Sequence, residues 1–235
     1  YQLPGENLEI ICMHIYKGYL WMGTTTNGVY RLDIDKKELT HPIKKGNITS
    51  FYRDSEGELW IGSWEEGLFH VKTDGKIENF RYDAKNPHSL SSNFVRACCE
   101  DNLGNIWIGT FNGLNRYNKS TGLFQNHTAN DIQTDGLTHS SIWCIVKDNQ
   151  GTLWLGTYFG GVNYFNPEYE IYTRYSYSSN EKKGLSNPVV GRTIEDKNGN
   201  LWIGTEGGGL NYYNRRTREF KWYRPQEGRN SISHN

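Results

Sequence analysis

Leu59-Trp60-Ile61-Gly62 is one of five copies of a tetrapeptide pattern in this chain, and this pattern predicts the fold. The other copies are Leu20-Trp21-Met22-Gly23, Ile106-Trp107-Ile108-Gly109, Leu153-Trp154-Leu155-Gly156 and Leu201-Trp202-Ile203-Gly204. Successive tryptophans lie 39, 47, 47 and 48 residues apart. Self-similarity at such a period is typical of stacked structural repeats. We therefore predict five copies of one unit, and we expect function where the copies differ.

Each unit predicts four short strands joined by tight turns. A glycine stands three residues before every tryptophan, an aspartate stands six before it in four of the five units, and a Gly-Leu or Gly-Val pair follows it. The segments between these turns are rich in β-branched and aromatic residues, as strands are. In the third unit we predict strands over residues 94–100, 106–110, 114–118 and 123–127. In the first unit the tryptophan alignment puts Ile15 at the aspartate position.

Four strands in about 47 residues make one blade of a β-propeller. The chain is therefore predicted to be all-β and to form a single propeller region over residues 1–235. We expect its blades at roughly 1–47, 48–91, 92–138, 139–186 and 187–235. Both ends of the sequence fall at the same phase of the repeat, so we expect the five blades to belong to a larger, seven-bladed propeller. A ring closed by five blades alone is the alternative.

The five tryptophans are expected to have a structural role. Successive side chains of a strand point to opposite faces, and a blade has a neighbour on each face. Both Trp60 and the flanking Leu59 and Ile61 can therefore be buried between blades. Because a buried aromatic side chain removes roughly 150 to 250 Å² from water, these residues are predicted to supply much of the adhesion between blades.

Composition excludes several functions. Lys plus Arg equals Asp plus Glu at 26 each, which leaves no excess positive charge for nucleic acid. No run of about 18 apolar residues predicts a membrane helix. Cys12, Cys98, Cys99 and Cys144 stand where other units have core residues, so they are interpreted as buried thiols. The Asp-x-x-Gly segments fit hairpin turns better than a calcium loop, and we predict neither a metal nor a cofactor.

A family resemblance rests on the last unit. The string Asp196-Lys197-Asn198-Gly199-Asn200-Leu201-Trp202-Ile203-Gly204-Thr205, followed by Glu206-Gly207-Gly208-Gly209-Leu210 and preceded by Gly184-Leu185-Ser186-Asn187, resembles the two-component regulator propeller repeat. The resemblance extends over all five units. It implies the periplasmic sensor region of a Bacteroidetes hybrid two-component system, anchored in the membrane only through the parent chain.

The resemblance also implies partners. Such sensors combine two seven-bladed propellers, a small β-sandwich, one membrane helix, a histidine kinase and a DNA-binding response regulator, and they usually detect an oligosaccharide released from a glycan. We therefore expect an oligosaccharide or other small ligand, contacts with a second propeller or the β-sandwich, and a homodimer of the parent protein. No enzymatic activity is expected of this region itself.

Candidate ligand-binding residues are those that break the repeat near the channel mouth, where propeller loops gather. Aromatic residues interrupt the otherwise small and polar loops between the second and third strands, and bulky residues occupy the start of the inner strand. Aromatic faces beside a few fixed polar groups are typical of a carbohydrate site. The candidates are Trp64, Phe111, Tyr158 and Phe159 from the loops, with Arg96, Trp143 and Arg192 from the inner strands.

Two other functions are also consistent with the sequence. Glu65, Glu66 and Glu206 on the same loops would suit a propeller enzyme of the lyase or glycoside-hydrolase type, which works with paired carboxylates. A protein-interaction scaffold is the third reading. In both of the non-enzymatic readings, the loop aromatics and arginines can instead pack against neighbouring blades and local carboxylates.

Overall fold

The chain folds into five four-stranded antiparallel sheets. The computed structural model describes residues 8–129, 136–168, 171–226 and 231–232, with side chains omitted for 171–174. Blade 1 comprises β1 (Ile10–Tyr16), β2 (Tyr19–Thr24), β3 (Val29–Asp33) and β4 (Leu39–Ile43). Blade 2 comprises β5 (Ile48–Arg53), β6 (Leu59–Ser63), β7 (Leu68–Val71) and β8 (Ile77–Phe80).

The remaining blades repeat this arrangement. Blade 3 comprises β9 (Val95–Glu100), β10 (Ile106–Thr110), β11 (Gly113–Asn118) and β12 (Leu123–His127). Blade 4 comprises β13 (Ile142–Lys147), β14 (Leu153–Thr157), β15 (Val162–Asn166) and β16 (Ile171–Tyr175). Blade 5 comprises β17 (Val190–Glu195), β18 (Leu201–Thr205), β19 (Gly209–Asn214) and β20 (Glu219–Tyr223), and a 3-10 turn (Glu181–Lys183) precedes it.

Every blade is a simple meander in which each strand pairs with the next. The first strands of successive blades pack side by side, β1 on β5, β5 on β9, β9 on β13 and β13 on β17, and so line a central channel. The predicted all-β propeller is confirmed, and the four strands expected in the third unit lie within one residue of their predicted positions. Within the described ranges, no helix is long and apolar enough to cross a membrane.

Hydrophobic cores lie between the blades, as the alternation of Leu, Trp and Ile requires. Trp21 of blade 1 packs in one cluster with Leu59 and Ile61 of blade 2. Trp60 of blade 2 packs in the next with Ile106 and Ile108 of blade 3. The same arrangement recurs between blades 3 and 4 and between blades 4 and 5. One face of each blade therefore completes the core begun by its neighbour.

The fifth tryptophan shows where this burial comes from. Trp21, Trp60, Trp107 and Trp154 are at most 3% exposed, whereas Trp202 is only half-buried. Ile194, which pairs with Trp202 across the strand ladder, is 64% exposed. Trp202 contacts Tyr212 and Tyr223 of its own blade. The local sequence is the same in all five units, so the neighbouring blade supplies the burial.

The repeated aspartates hold the turns between first and second strands. Asp54 accepts hydrogen bonds from the Glu58 amide at 2.8 Å and from Trp60 Nε1 at 2.9 Å. Asp101 and Asp148 bind Trp107 and Trp154 in the same way. These contacts agree with the interpretation of the Asp-x-x-Gly segment as a turn. A carboxylate that binds the indole also fixes the tryptophan rotamer between the blades.

Blade 1 departs from the predicted alignment. Ile15 pairs with Leu20, as Arg53 pairs with Leu59 in blade 2, and Tyr16 therefore stands where blade 2 has Asp54. The cause is a turn one residue shorter. Trp21 Nε1 consequently has no hydrogen-bond partner within the described residues, and the Tyr16 hydroxyl instead donates to the Gly57 carbonyl of the next blade.

The four cysteines are thiols. Cys98, Cys99 and Cys144 are buried, and Cys12 is half-buried. Burial raises the pKa of Cys12 and of Cys99 to about 11. Thiols with such high pKa values are unreactive near neutral pH, which agrees with their interpretation as core residues.

Candidate functional site

The loops between second and third strands are fixed to the channel wall by one repeated hydrogen bond. In each blade the first loop residue donates its amide to a carbonyl just before or at the start of the inner strand; these residues are Thr25, Trp64, Phe111, Tyr158 and Glu206. The bonded N···O distances run from 2.8 to 3.1 Å. These five residues therefore occupy equivalent positions around the channel mouth. Three adjacent blades, 2 to 4, place an aromatic ring there.

A β-bulge in each inner strand supplies the second set of mouth residues. In blade 3, Val95 pairs with Thr110 and Ala97 with Gly109, so Arg96 is the extra, unpaired residue. Ile11, Thr49, Trp143 and Gly191 hold this position in the other blades. A bulge re-aims a side chain that regular alternation would direct elsewhere. Arg96 and Trp143 therefore project from equivalent points of blades 3 and 4.

Arg192 occupies a different position from the one that sequence alignment suggested. It pairs with Gly204 and so matches Cys12, Ser50, Ala97 and Cys144, one residue beyond the bulge. In blade 4 this position is buried against blade 5, as Cys144 shows. Arg192 is exposed. It therefore belongs to the outer face of blade 5 rather than to the ring of bulge residues.

Four of the predicted residues form a continuous contact across three blades, which we call the mouth stack: Trp64, Arg96, Trp143 and Tyr158. The Arg96 guanidinium carbon lies 4.4 Å from the Trp64 ring centroid and 3.6 Å from that of Trp143. Trp143 in turn stacks on Tyr158 with 5.4 Å between centroids and 10° between planes. The contacts of Arg96 are cation–π interactions. They tie blade 2 to blade 3 and blade 3 to blade 4 at the mouth.

The two remaining aromatic candidates lie at the ends of this stack with their rings exposed. Phe111 is 52% exposed and Phe159 is 55% exposed. Phe111 reaches the stack through Phe94, which contacts both Phe111 and Trp64. Phe159 packs edge-on against Tyr158 with 4.3 Å between centroids. Both rings therefore stand on a fixed support and keep an open surface.

Sequence reasoning missed Phe94 and His139. The Phe94 carbonyl binds the Phe111 amide, and the equivalent residues in neighbouring blades are Asn47 and Ser141. Blades 1 and 5 have Glu9 and Val189 there, so Phe94 is the one aromatic residue among the five, and this was the available signal. His139 contacts both Tyr158 and Phe159. It lies in the variable segment before β13, where no repeat pattern marks it.

A cavity of about 650 Å³ adjoins the stack on the side of blade 5. Trp143, Arg192 and Glu206 line it together with backbone of β17 to β19 and with Leu210 and Ile232. Trp143 thus belongs to both the stack and the cavity wall. A volume of this size accommodates a small ligand.

The charged side chains at the mouth differ in whether they have a partner of opposite charge. Glu66 forms ion pairs with Lys45 and Arg81, and hydrogen bonds from Lys45 and then Arg81 outweigh its partial burial and lower its pKa. Such an ionised, paired carboxylate is unsuited to act as a general acid. Arg96 has a lowered pKa because burial disfavours its charge, and no carboxylate contributes to that pKa. Within the described part of the chain, Arg96 Nε and Trp143 Nε1 are buried without hydrogen-bond partners.

Among the residues that the structure describes, no three His, Cys, Asp or Glu side chains lie close enough to hold a metal ion. The groups that the mouth presents are aromatic rings, guanidinium groups and loop carboxylates.

Comparison with known families identifies the repeat. Four segments, residues 42–65, 89–112, 136–159 and 184–207, match the family described as two component regulator propeller. Each segment ends at the second residue of the mouth loop, so Trp64, Phe111 and Tyr158 lie within the matched segments. No curated protein sequence matches the chain significantly.

Solved structures agree on the fold. The extracellular domain of a protein assigned as a hybrid two component system from B. thetaiotaomicron superposes with a TM-score of 0.73 at 18% identity, over 94% of this chain and 31% of that one. Virginiamycin B lyase from Staphylococcus aureus superposes at 0.68 and 12% identity, over 92% and 70%. Its catalytically inactive variant with quinupristin gives 0.68 and 15%, over 94% and 71%. This chain spans about a third of the length of the B. thetaiotaomicron structure.

Proposed function

Because this chain carries two-component regulator propeller repeats, we propose that it is the ligand-sensing part of a hybrid two-component signalling protein. Its signal is an oligosaccharide released from a glycan, and its output is control of a histidine kinase and of transcription. The extracellular domain that it resembles in fold supports a periplasmic location. The observation that carries the ligand-binding proposal is the set of aromatic residues at equivalent mouth positions in blades 2, 3 and 4.

The mouth is suited to a sugar because it offers exposed ring faces on a rigid base. Phe111 and Phe159 keep about half of their surface open, while the mouth stack between them is held by mutual contacts. Sugar rings present apolar C–H faces that pack on aromatic rings, and their hydroxyls require a few fixed polar groups. The cavity beside Trp143 has room for part of such a ligand.

Signalling through this module requires two arrangements of the parent protein. We propose that ligand binding at the mouth favours one packing of this propeller against a second propeller or the β-sandwich, within a homodimer of the parent. A ligand shifts such an equilibrium only by its differential affinity for the two arrangements. Mouth residues that contact both ligand and partner domain would supply that difference.

The exposed outer faces of the end blades support a larger ring. Met13 and Ile15 of blade 1 are 63% and 68% exposed, whereas the equivalent Phe51 of blade 2 packs into the core shared with blade 1. On the uncovered face of blade 5, Ile194 is exposed and Trp202 is half-buried. We propose that further blades of the parent protein cover both faces, in keeping with a seven-bladed propeller.

The test is calorimetric titration of the purified protein with a panel of short oligosaccharides from plant and host glycans. A ligand found in this way is expected to bind Phe111→Ala and Phe159→Ala about tenfold more weakly or worse, since each removes a ring face. The matched control is Leu103→Ala, which removes an apolar side chain that is 61% exposed at the opposite end of the blade. If all three variants bind the ligand as tightly as the unchanged protein does, a ligand site at the mouth is refuted.

A further inference from the structure

We propose that Arg96 recognises an anionic group of the ligand, so that the mouth selects oligosaccharides bearing a carboxylate or a sulfate. This inference rests on the proposed function and specifies the ligand class for the same site. Its starting point is the environment of the guanidinium, which lies between two indole rings from the neighbouring blades.

The charge of Arg96 lacks a counter-ion. No Asp or Glu in the described part of the chain pairs with it, whereas two other half-buried cations have carboxylate partners. Lys119 binds Asp54 and Glu100 at 2.9 Å each, and Arg215 binds Asp148. A partly desolvated cation is costly unless it is paired. Two cation–π contacts offset part of that desolvation cost, and an anionic group of the ligand would offset the remainder.

The geometry also leaves the correct atoms available. Arg96 Nε is buried without a hydrogen-bond partner among the described residues, whereas Arg96 as a whole is half-buried. Part of its side chain therefore remains accessible. A guanidinium in contact with two rings is pre-organised, and its paired N–H groups can match a carboxylate or sulfate in a bidentate manner.

Arg192 is less suited than Arg96 to bind an anionic group of the ligand. It lines the cavity beside Trp143, but Glu206 lines the same cavity, so a negative charge there meets a carboxylate as well as a guanidinium. Glu66, a carboxylate on the mouth loop of blade 2, is engaged by Lys45 and Arg81. Arg96 is thus the cation whose surroundings favour an incoming anion.

Two matched pairs of probes separate charge from sugar shape. Tetragalacturonate is compared with its methyl ester, and sulfated maltotetraose is compared with maltotetraose. We expect the charged member of at least one pair to bind about tenfold to a hundredfold more tightly, which is the range of a charge-assisted hydrogen bond. That preference should shrink between low and high salt. A preference for tetragalacturonate over its methyl ester indicates a carboxylate, and a preference for sulfated maltotetraose over maltotetraose indicates a sulfate.

Two variants assign the preference to Arg96. Arg96→Met removes the charge at similar length and should reduce the preference to near unity, whereas Arg96→Lys should retain part of it. The control is Arg31→Met, which removes another arginine that lies over aromatic rings, Tyr19 and Trp21, away from the mouth. Melting temperatures report whether each variant is folded.

The outcomes are distinguishable from those of the proposed function. If neutral and charged probes bind equally, or if Arg96→Met binds the charged probe as the unchanged protein does while remaining folded, the anion proposal is wrong and the mouth site stands. If none of the four probes binds but another oligosaccharide of the panel does, the anion proposal is wrong and the proposed function stands; if no oligosaccharide binds, the proposed function fails as well. Loss of the charge preference in Arg96→Met but not in Arg31→Met supports the inference.

Discussion

The Arg96 guanidinium lies 3.6 Å from the centre of the Trp143 ring, and this contact joins blade 3 to blade 4 at the channel mouth. Trp143 also stacks on Tyr158, so much of its ring is already covered by the protein. The open ring faces at the mouth belong instead to Phe111 and Phe159. The aromatic residues at the mouth therefore divide into a structural stack and two exposed contacts.

This division predicts different effects for two substitutions. Phe159→Ala should weaken ligand binding and leave the melting temperature within about 1 °C, because half of its ring is exposed. Trp143→Ala should lower the melting temperature as well, by several degrees, because it removes contacts to two blades. Thermal unfolding and titration of the same preparations test this. Equal destabilisation by both substitutions would contradict the division.

The inter-blade tryptophans allow a comparison within one chain. Trp60→Ala should cost about 3–5 kcal/mol, because the Trp60 ring is fully buried and stacks on His70 at 3.8 Å. Trp202→Ala should cost less than about 2 kcal/mol, because the same residue in blade 5 has no following blade to cover it. Urea unfolding measures both. Similar costs would mean that burial by the next blade is not the source of the stabilisation.

Asp54 predicts a loss of stability in acid. Burial disfavours its carboxylate, but hydrogen bonds from Trp60, from the Glu58 amide and from Lys119 outweigh burial and hold its pKa below the usual value. A depressed folded-state pKa gives stability that is present above the unfolded pKa of about 3.9 and is lost as pH falls through the folded value.

The corresponding variant is Asp54→Asn. It should be less stable than the unchanged protein by about 1–3 kcal/mol at pH 7, and the difference should shrink as pH falls below about 4. Urea unfolding at a series of pH values measures it. A difference that stays constant down to pH 2 would show that the carboxylate charge contributes nothing.

Gly67 and Gly75 separate backbone strain from steric overlap. Both have positive φ, +79° and +89°, a region that costs any other residue about 1–3 kcal/mol. A Cβ on Gly67 would lie 2.2 Å from the Phe80 carbonyl oxygen, whereas a Cβ on Gly75 would meet nothing within 4 Å. Gly67→Ala should therefore destabilise the protein by several kcal/mol more than Gly75→Ala. Chemical denaturation of the two variants is the measurement, and equal costs would exclude the overlap.

The repeat was readable from sequence because each unit encodes its own turns and strands locally. Glycine spacing and the Asp-x-x-Gly turn predicted β9 to β12 within one residue. The mouth candidates were also identifiable, because the repeat aligns the loops and shows Trp64, Phe111 and Tyr158 where the first and last units have Thr25 and Glu206. Phe94 was counted only as the start of its inner strand, although Asn47 and Ser141 at the equivalent position offered a reference. His139 escaped because it lies in the variable segment before β13, where no repeat pattern marks it.

Register was the feature that sequence alignment could not supply. Strand pairing shows that Arg96 and Trp143 are the extra residues of their inner-strand bulges, whereas in blade 5 that residue is Gly191 and Arg192 follows it. An extra residue in one strand changes which side chains face the channel. Likewise, the shorter turn of blade 1 puts Tyr16, rather than Ile15, at the aspartate position. Such shifts depend on hydrogen bonding between strands.

Short-range propensities and spacing are enough to predict the five-fold repeat, the four-stranded blade and the set of residues that break the pattern. Which of those residues meet depends on how the blades pack against one another. Arg96 sits between Trp64 and Trp143 because three blades converge on one channel, and Trp202 stays half-buried because burial in a propeller is provided by the next blade.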